Sequence, residues 1–587
     1  MPKRTTLGML AMSITLAAPV AAGAAPYKHT TQPTARGTGG GAATVDSVAT
    51  GAATDVLRAG GNAVDAAVAA AAVLGVTEPF SAGIGGGGFM LIRKPNGKVT
   101  TIDSREKSPA AMREDTFIEN GKPLTFDEAR YSGLSVGVPG TVKGWDRALR
   151  RYGTWSLRRA LRPGIRVARR GFVIDRTFNE QAQANAAYFD DIRSTAKLYL
   201  DPDGTARDVG TVQRNPGMAR AYRRIARRGS AGFYRGPIAA AIERAAQQPP
   251  LRATADHVWR PGLLTAHDLR AYTAPKRKPT RVSYRGLDVF GMGPPSSGGS
   301  TVGEGLNILE SYPLGGMTRE AALHAFLEAS RFSFADRGAY LADPDFFDVP
   351  LRGLLSQPFA DVRGGLIGAT AARSPVAPGD PVPFQRSPTG RGEASVTSTR
   401  AGTTTHLTVA DGRGNVVSYT FTIESTGGAG LVVPGYGFLL NNELTDFNFD
   451  STTHPNRIEG NKRPRSSMAP TIVLRNGRPL LAVGSPGGST IITTVLQLLV
   501  DRLDLGTPLP QALAAPRLTQ RNTASTLVEA EFLPTPEAAA LRARGHTLTL
   551  SPEIGAATAI EFLDDGRLLA AAEPVRRGGG SALTLRP

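Results

Sequence analysis

A chain of 587 residues is too long for one ordinary core and implies several domains or one very large layered one. Hydrophobic residues at 41% and charged residues at 20% exclude a membrane-spanning bundle and a disordered chain, and the absence of cysteine excludes disulfide scaffolds, thiol catalysis and cysteine-ligated metal. The net charge of +18 comes mainly from Arg, 57 of the 68 basic residues; no zinc-finger, RNA-binding or helix-turn-helix signature accompanies it, so no nucleic-acid partner is expected.

At the N-terminus, Lys3-Arg4, the apolar run Leu7–Val20 and the small-x-small series Ala22-Gly23-Ala24 read as a secretory signal over 1–24, cut before Ala25. The apolar run is shorter than the ~20 residues a bilayer demands, so no integral membrane span is expected and the mature protein is placed outside the cytoplasmic membrane, secreted or extracytoplasmic. A Gly/Thr-rich lead-in (Thr30–Ala43) precedes an alanine-rich helix in GGNAVDAAVAAAAVLGV, with Asn62 as N-cap. FMLIRKPNGKVTTID then reads as a strand pair turned at Asn96-Gly97. Residues 140–345 read mostly helical, and Leu149–Arg170 has the spacing of a solvated amphipathic helix. A stretch from Ala371 to Ala401, rich in Pro, Gly, Arg, Ser and Thr, reads as an exposed linker. Beyond it come two hairpins, THLTVADGRGNVVSYTFTIE and APTIVLRNGRPLLAVGS, and a helix in TIITTVLQLLVDRLD. Hairpins mixed with helices, without strict βαβ alternation, predict an α+β protein of layered helices and antiparallel sheet.

Two glycine motifs are decoys. Gly83, Gly85 and Gly88 fit G-x-G-x-x-G, but a helix precedes them and a strand follows, the reverse of a dinucleotide-binding turn. Gly133–Gly137 fits G-x-S-x-G, yet Val-Pro-Gly follows where a helix is required. The seven histidines are far apart in sequence and form no H-x-x-x-H pair, so neither a metal site nor a cofactor is expected.

The informative signal starts where the linker ends, at Gly402-Thr403-Thr404-Thr405-His406. A threonine hydroxyl is a poor nucleophile until a nearby base takes its proton. A backbone amide cannot be that base, whereas a free α-amino group, with a reference pKa of about 7.7–8.0, can. Cutting the chain immediately before such a threonine creates the base beside the hydroxyl. TFTIE (Thr420–Glu424), NNELTDF (Asn441–Phe447), PRSSMAPTIV (Pro464–Val473) and GSPGGS (Gly484–Ser489) follow in order, and GGNAVDAAVA, SAGIGGGGFM, DSREKSPA, VGVPGTVKGW, LLTAHDLRAY, GPPSSGGST and ADPDF lie upstream. From about Thr44 to the C-terminus this series resembles the γ-glutamyltransferase (glutathione hydrolase) family of N-terminal nucleophile hydrolases.

The resemblance implies a four-layer αββα sandwich and a precursor cut between Thr403 and Thr404 into a large subunit (25–403) and a small catalytic subunit (404–587) that stay together as a heterodimer. It selects Thr404 as the nucleophile over its threonine neighbours. It assigns Thr422 to hydrogen-bond that nucleophile and Gly487 and Gly488 to hold the oxyanion. For a γ-glutamyl substrate it gives Arg105, Ser466 and Ser467 to the α-carboxylate and Glu424, Glu443 and Asp446 to the α-ammonium. The chain departs from some members, which have Asn at the Glu424 position and Gln at the Glu443 position. Only 20 residues, Phe447–Ser466, separate Asp446 from Ser467, which looks short for the family's lid and leaves the pocket more open. The implied activity is hydrolysis of glutathione and other γ-glutamyl amides, or transfer of the γ-glutamyl group to amino acids and peptides. A glutaryl-type (cephalosporin) acylase and a poly-γ-glutamate hydrolase are the alternatives of the same superfamily, and a catalytically silent envelope-binding protein is the alternative of another class.

Overall fold

The computed structural model describes residues 25–385, 392–393 and 402–586. The signal sequence expected over 1–24 and most of the C-terminal half of the expected linker thus lie outside the described residues.

Counting only the strands of the main sheets, β1 (Thr34–Thr44), β2 (Gly87–Arg93), β3 (Val99–Asp103), β4 (Thr280–Tyr284), β5 (Leu287–Gly291), β6 (Thr404–Asp411) and β7 (Val416–Thr422) come first. They are followed by β8 (Thr471–Arg475), β9 (Arg478–Gly484), β10 (Thr558–Phe562), β11 (Leu568–Ala572) and β12 (Ser581–Arg586). The hydrogen-bonded order is β3-β2-β7-β6-β1-β11-β10-β9-β8-β5-β4, with β12 also on β1. All of these pairings are antiparallel. The path doubles over at β1: its Thr34–Gly37 half pairs with β11, whereas Gly40–Thr44 pairs with β6 and Gly41–Thr44 with β12. Between the halves sit Gly39 and Gly40, with φ of 82° and 126°, a bend that only glycine makes without strain. The Gly/Thr-rich lead-in, given no secondary structure from the sequence, is therefore largely a central strand.

The two halves of the path pack face to face, β6 against β10 and β7 against β9. A small-residue and aliphatic core that includes Ala43, Leu91, Ala410, Ile472, Ala482 and Ile560 fills the gap. Contact is close enough that a Cβ on Gly484 would lie 2.3 Å from the His406 ring. Outside one sheet lie α1 (Ser47–Arg58) and α2 (Ala63–Thr77); outside the other lie α3 (Gly298–Glu310), α4 (Arg319–Tyr340) and α5 (Thr490–Leu503). Four layers, αββα, result, as expected. In α2 every residue is buried, and Asn62 with Asp65 closes a capping box at its start. Ala is suited to this position: it has the best helix propensity and a side chain small enough for close helix–sheet approach.

Two local readings need correction. Leu149–Arg170 is not one amphipathic helix but the end of Thr141–Tyr152 followed by Leu157–Ala160 and Arg162–Arg170; Gly153 ends the first, and Ser156 caps the second by accepting from the Arg159 N–H. The histidines are not all apart in space: His324 Nδ1 and His546 Nε2 are 2.8 Å apart, near Glu328. His324 Nε2 lies 2.9 Å from the Gly368 carbonyl oxygen, while Glu328 accepts from Arg331 Nε and the Ala372 N–H. A hydrogen bond between the two rings ties α4 to the turn at His546.

Candidate active site

Thr404 opens β6 at a place where one neighbour is missing. The β1–β6 ladder ends with Thr44 opposite Leu407, whereas the β6–β7 ladder continues to pair Thr404 with Thr422. Thr404 Oγ1 donates to Thr422 Oγ1 at 3.2 Å, and Thr422 Oγ1 donates in turn to the Thr403 carbonyl at 2.8 Å. The Glu424 N–H donates back to Thr422 Oγ1 at 2.8 Å, which fixes that hydroxyl between three groups. Thr403 Oγ1 donates to the Phe80 carbonyl at 3.2 Å. Thr404 is only 4% exposed, and what exposure it has faces a cavity of about 360 Å³.

Gly487 and Gly488 form the turn between β9 and α5, with φ of 131° and 57°. Among the described residues neither N–H finds an acceptor, and Gly488 lines the cavity. Gly402 runs beside this turn: a Cβ there would meet Gly488 Cα at 3.3 Å and Glu424 Oε1 at 3.2 Å. The residues preceding Thr404 therefore occupy space between the glycine turn and the acidic wall.

That wall contains the other expected residues in the cavity lining: Arg105, Glu424, Glu443, Asp446, Ser466 and Ser467. Their pairing differs from a simple clamp. Arg105, 1% exposed, is engaged by Glu443 and by Asp446 Oδ2 at 2.5 Å, and donates to the carbonyls of Pro464 (3.1 Å) and Arg465 (2.8 Å). Burial opposes its charge, but the two carboxylates outweigh that and hold the guanidinium protonated. Ser466 Oγ accepts from the Met468 N–H at 3.2 Å, whereas Ser467 Oγ accepts from Arg337 Nη2 at 2.7 Å.

Arg337 was not singled out from the sequence. It sits in α4, whose residues Ala322–Tyr340 are all buried, and a guanidinium in such a stretch is the signal that could have flagged it. Its Nε donates to Ser297 Oγ at 2.8 Å, so it bridges the GPPSSGGST and PRSSMAP segments with hydroxyls rather than a carboxylate. Burial, then the neighbouring Arg465, disfavour its positive charge. The cavity thus has an acidic side and a basic side.

Glu424 carries two kinds of strain. Its φ of 79° is left-handed, uncommon for a residue with a long side chain. Burial first, and the Asp446 charge second, push its carboxyl up to about 7, against hydrogen bonds from Ser425 and Asn442. A carboxyl whose folded value lies above its ordinary 4.5 loses stability for the fold as pH rises from 4.5 towards 7. Glu424→Asn, which tolerates the left-handed backbone and carries no charge, is expected to raise Tm at pH 8 and to leave it nearly unchanged at pH 4.5. Thermal scans at the two pH values check this; an equal or larger gain at pH 4.5 would refute the electrostatic part.

A threonine opening a central strand at the seam of an αββα sandwich, with a hydroxyl partner and a two-glycine N–H turn, defines an N-terminal nucleophile hydrolase. The gamma-glutamyltranspeptidase family model matches residues 49–583, and the chain belongs to that family. It is 37% identical to the glutathione hydrolase proenzyme of Bacillus subtilis (strain 168) over 94% of this chain and 92% of that one. It is 36% identical to the glutathione hydrolase proenzyme of Escherichia coli (strain K12), covering 91% and 90%. The crystal structure of cephalosporin acylase from Bacillus halodurans superposes with a TM-score of 0.82 at 28% identity, covering 98% of this chain and 99% of that one. Among the described residues no helix is long and apolar enough to cross a membrane.

Proposed function

We propose that the protein is an exported, self-processing γ-glutamyl hydrolase/transferase that acts on glutathione and related γ-glutamyl amides. The observation that carries the reading is the Thr404–Thr422–Thr403 chain of hydrogen bonds beside a free pair of glycine N–H groups.

Processing uses that chain first. The Thr422 hydroxyl polarises the Thr403 carbonyl, and Thr404 Oγ1 attacks its carbon. The C–N bond breaks as the C–O bond forms, the Thr404 nitrogen takes the proton, and water then hydrolyses the ester. The large fragment leaves with a Thr403 carboxylate, and Thr404 gains a free amine. In turnover that amine takes the Oγ1 proton while Oγ1 attacks the γ-carbonyl carbon of the substrate. Gly487 and Gly488 N–H groups receive the oxyanion, the leaving amine takes the proton, and a γ-glutamyl ester of Thr404 remains. Water, or the amine of an amino acid or peptide, takes the acyl group away. On the acidic side Glu424, Glu443 and Asp446 accept from the α-ammonium; Ser466, Ser467 and Arg105 serve the α-carboxylate once substrate competes for Arg105. A glutaryl group has no ammonium, so three carboxylates at this wall favour γ-glutamyl substrates over acylase substrates.

Purified protein is expected to run as two chains, 25–403 and 404–587, about two thirds and one third of the full length, with the smaller beginning Thr404-Thr405-His406. Turnover of γ-glutamyl-p-nitroanilide, stimulated or not by a dipeptide acceptor, is expected to exceed that of glutaryl-p-nitroanilide by at least about tenfold, the worth of one unmet charged partner. An active enzyme that remains one uncut chain refutes the mechanism; faster turnover of the glutaryl amide refutes the substrate class alone.

A further inference from the structure

The carbonyl of Thr404 raises a question that the catalytic reading leaves open. It points to the side of β6 away from β7, where β1 has already ended, so no strand supplies its hydrogen bond. A side chain fills the gap: Arg577 Nη1 donates to the Thr404 carbonyl at 2.7 Å, and Nη2 reaches Ser81 Oγ at 3.3 Å. Both partners are neutral oxygens. Arg577 reaches them from the turn before β12, held at φ 55°, a left-handed conformation that costs energy for a non-glycine residue. Gly578 and Gly579 follow, also with positive φ, and Ser581 then pairs with Thr44 where β1 ends. The turn therefore brings a strained arginine to the backbone carbonyl of the nucleophile.

We propose that Arg577 is a positioning residue whose fixed positive charge, docked on the Thr404 carbonyl, keeps the new α-amino group unprotonated and able to act as base. The inference rests on reading Thr404 as the N-terminal nucleophile. Covalent geometry places a guanidinium on that carbonyl about 5–6 Å from the α-nitrogen. A positive charge at such a distance disfavours a second one on the amine, by roughly half a pH unit to two units between watery and protein-like screening.

Other charges face the same nitrogen. From the segment after β7, Glu424 pulls the opposite way, and from the turn after Asn442 come Glu443 and Asp446, largely balanced by Arg105. Behind the nucleophile, Glu78 at the end of α2 lies in the field of Arg577; burial pushes it up to about 7 despite that cation. Asp46, before α1, pairs with His29. Glu553 accepts from the Arg577 backbone N–H at 3.3 Å. On β6 itself His406 is held neutral by burial. With Glu78 and Glu424 pushed up by burial and Asp446 paired with Arg105, Arg577 is left as a cation held on the nucleophile's own carbonyl.

The test separates charge from hydrogen bonding. Arg577→Gln can still donate to the carbonyl but has no charge; Arg577→Lys keeps the charge. Each variant is first checked for cutting at Thr404, and kcat/KM for γ-glutamyl-p-nitroanilide is then measured from pH 5 to 10. The acid limb of the Gln variant is expected to move up by about one unit, a loss of about tenfold at pH 6 that disappears by pH 9, while the Lys variant follows the wild type. If the Gln variant is not cut, the same profile is taken on 25–403 and 404–587 co-expressed as separate chains. An unmoved limb in the Gln variant, a loss equal at every pH, or a Lys variant that behaves like Gln overturns the proposal. Wild-type enzyme that is active without a Thr404 terminus overturns instead the reading on which it rests.

Discussion

Thr404→Ala is expected to remain a single uncut chain and to lose at least about 10⁴-fold in turnover, because one hydroxyl serves both reactions. The two losses have different causes. Without Oγ1 nothing attacks the Thr403 carbonyl, so the amine is never released; supplying the cut by co-expression restores the amine but still leaves no nucleophile. Thr404→Ser keeps the hydroxyl and is expected to cut and turn over at reduced rate, since serine lacks the methyl group that fixes the rotamer of a β-branched side chain. Thr422→Ala removes the group that polarises the Thr403 carbonyl and accepts from Thr404, and is expected to slow both reactions together. Gel analysis of processing, followed by turnover of the cut enzymes, checks all three. A Thr404→Ala chain cut before residue 404 and active would remove the nucleophile assignment altogether.

Arg105→Ala is expected to be the most damaging change in the substrate wall, for stability as well as for binding. It leaves Glu443, 1% exposed, without its cation; stripping one partner from a buried pair costs about 3–5 kcal/mol. Asp446, whose side chain is 37% exposed, adds little because water can reach it. Burial already pushes Glu443 above the usual carboxylate range, and Arg105 is what opposes this. Without Arg105 the carboxyl is held higher still, so this part of the deficit grows only as pH rises through the raised range of Glu443 itself and vanishes on its acid side. Denaturant titration at pH 5 and 8 reads this directly; a deficit independent of pH would contradict it. Cutting at Thr404 requires no glutamate and is expected to persist, while KM for γ-glutamyl substrates rises by tenfold or more. Asp446→Ala is expected to penalise γ-glutamyl amides and spare glutaryl ones.

Much of this was legible because local chemistry and tertiary fold agree. The β8–β9 hairpin turns on Asn476-Gly477, with φ of 51° and 76°, the two positive values that make this pair a hairpin signal. The alternation of THLTVAD and VVSYTFT, and the Asn62 cap, were equally direct. Strand β1 was missed for a physical reason. It is squeezed between partners on both edges, so that a Cβ on Gly37 would lie 2.1 Å from the Arg586 carbonyl oxygen, and the glycines this demands erase the usual strand composition. Its partners are also more than 350 residues away in sequence. Within the site, the nucleophile, the glycine turn and the acids stood in compact motifs. Arg337 and Arg577 did not: each acts from a helix or a turn whose proximity to the site only the fold creates, and each looks in sequence like one more arginine among 57.

The strand order also determines what a cut at Thr404 does to folding. Strands β6 and β7 lie between β2 and β1, and β8 to β11 lie between β1 and β5, so the two fragments alternate across the sheets. Before the cut, every one of those pairings is closed within a single molecule. After it, the same native structure is an association of two molecules, each of which holds unpaired strand edges if separated. Refolding from denaturant then becomes second order and falls off on dilution, with aggregation of the exposed edges as its competitor. Unfolding of the cut form is thus expected to outpace its reassembly on dilution. Persistence of a cut enzyme is then expected to follow its unfolding barrier rather than its equilibrium stability, with the uncut chain as the form that folds as one molecule.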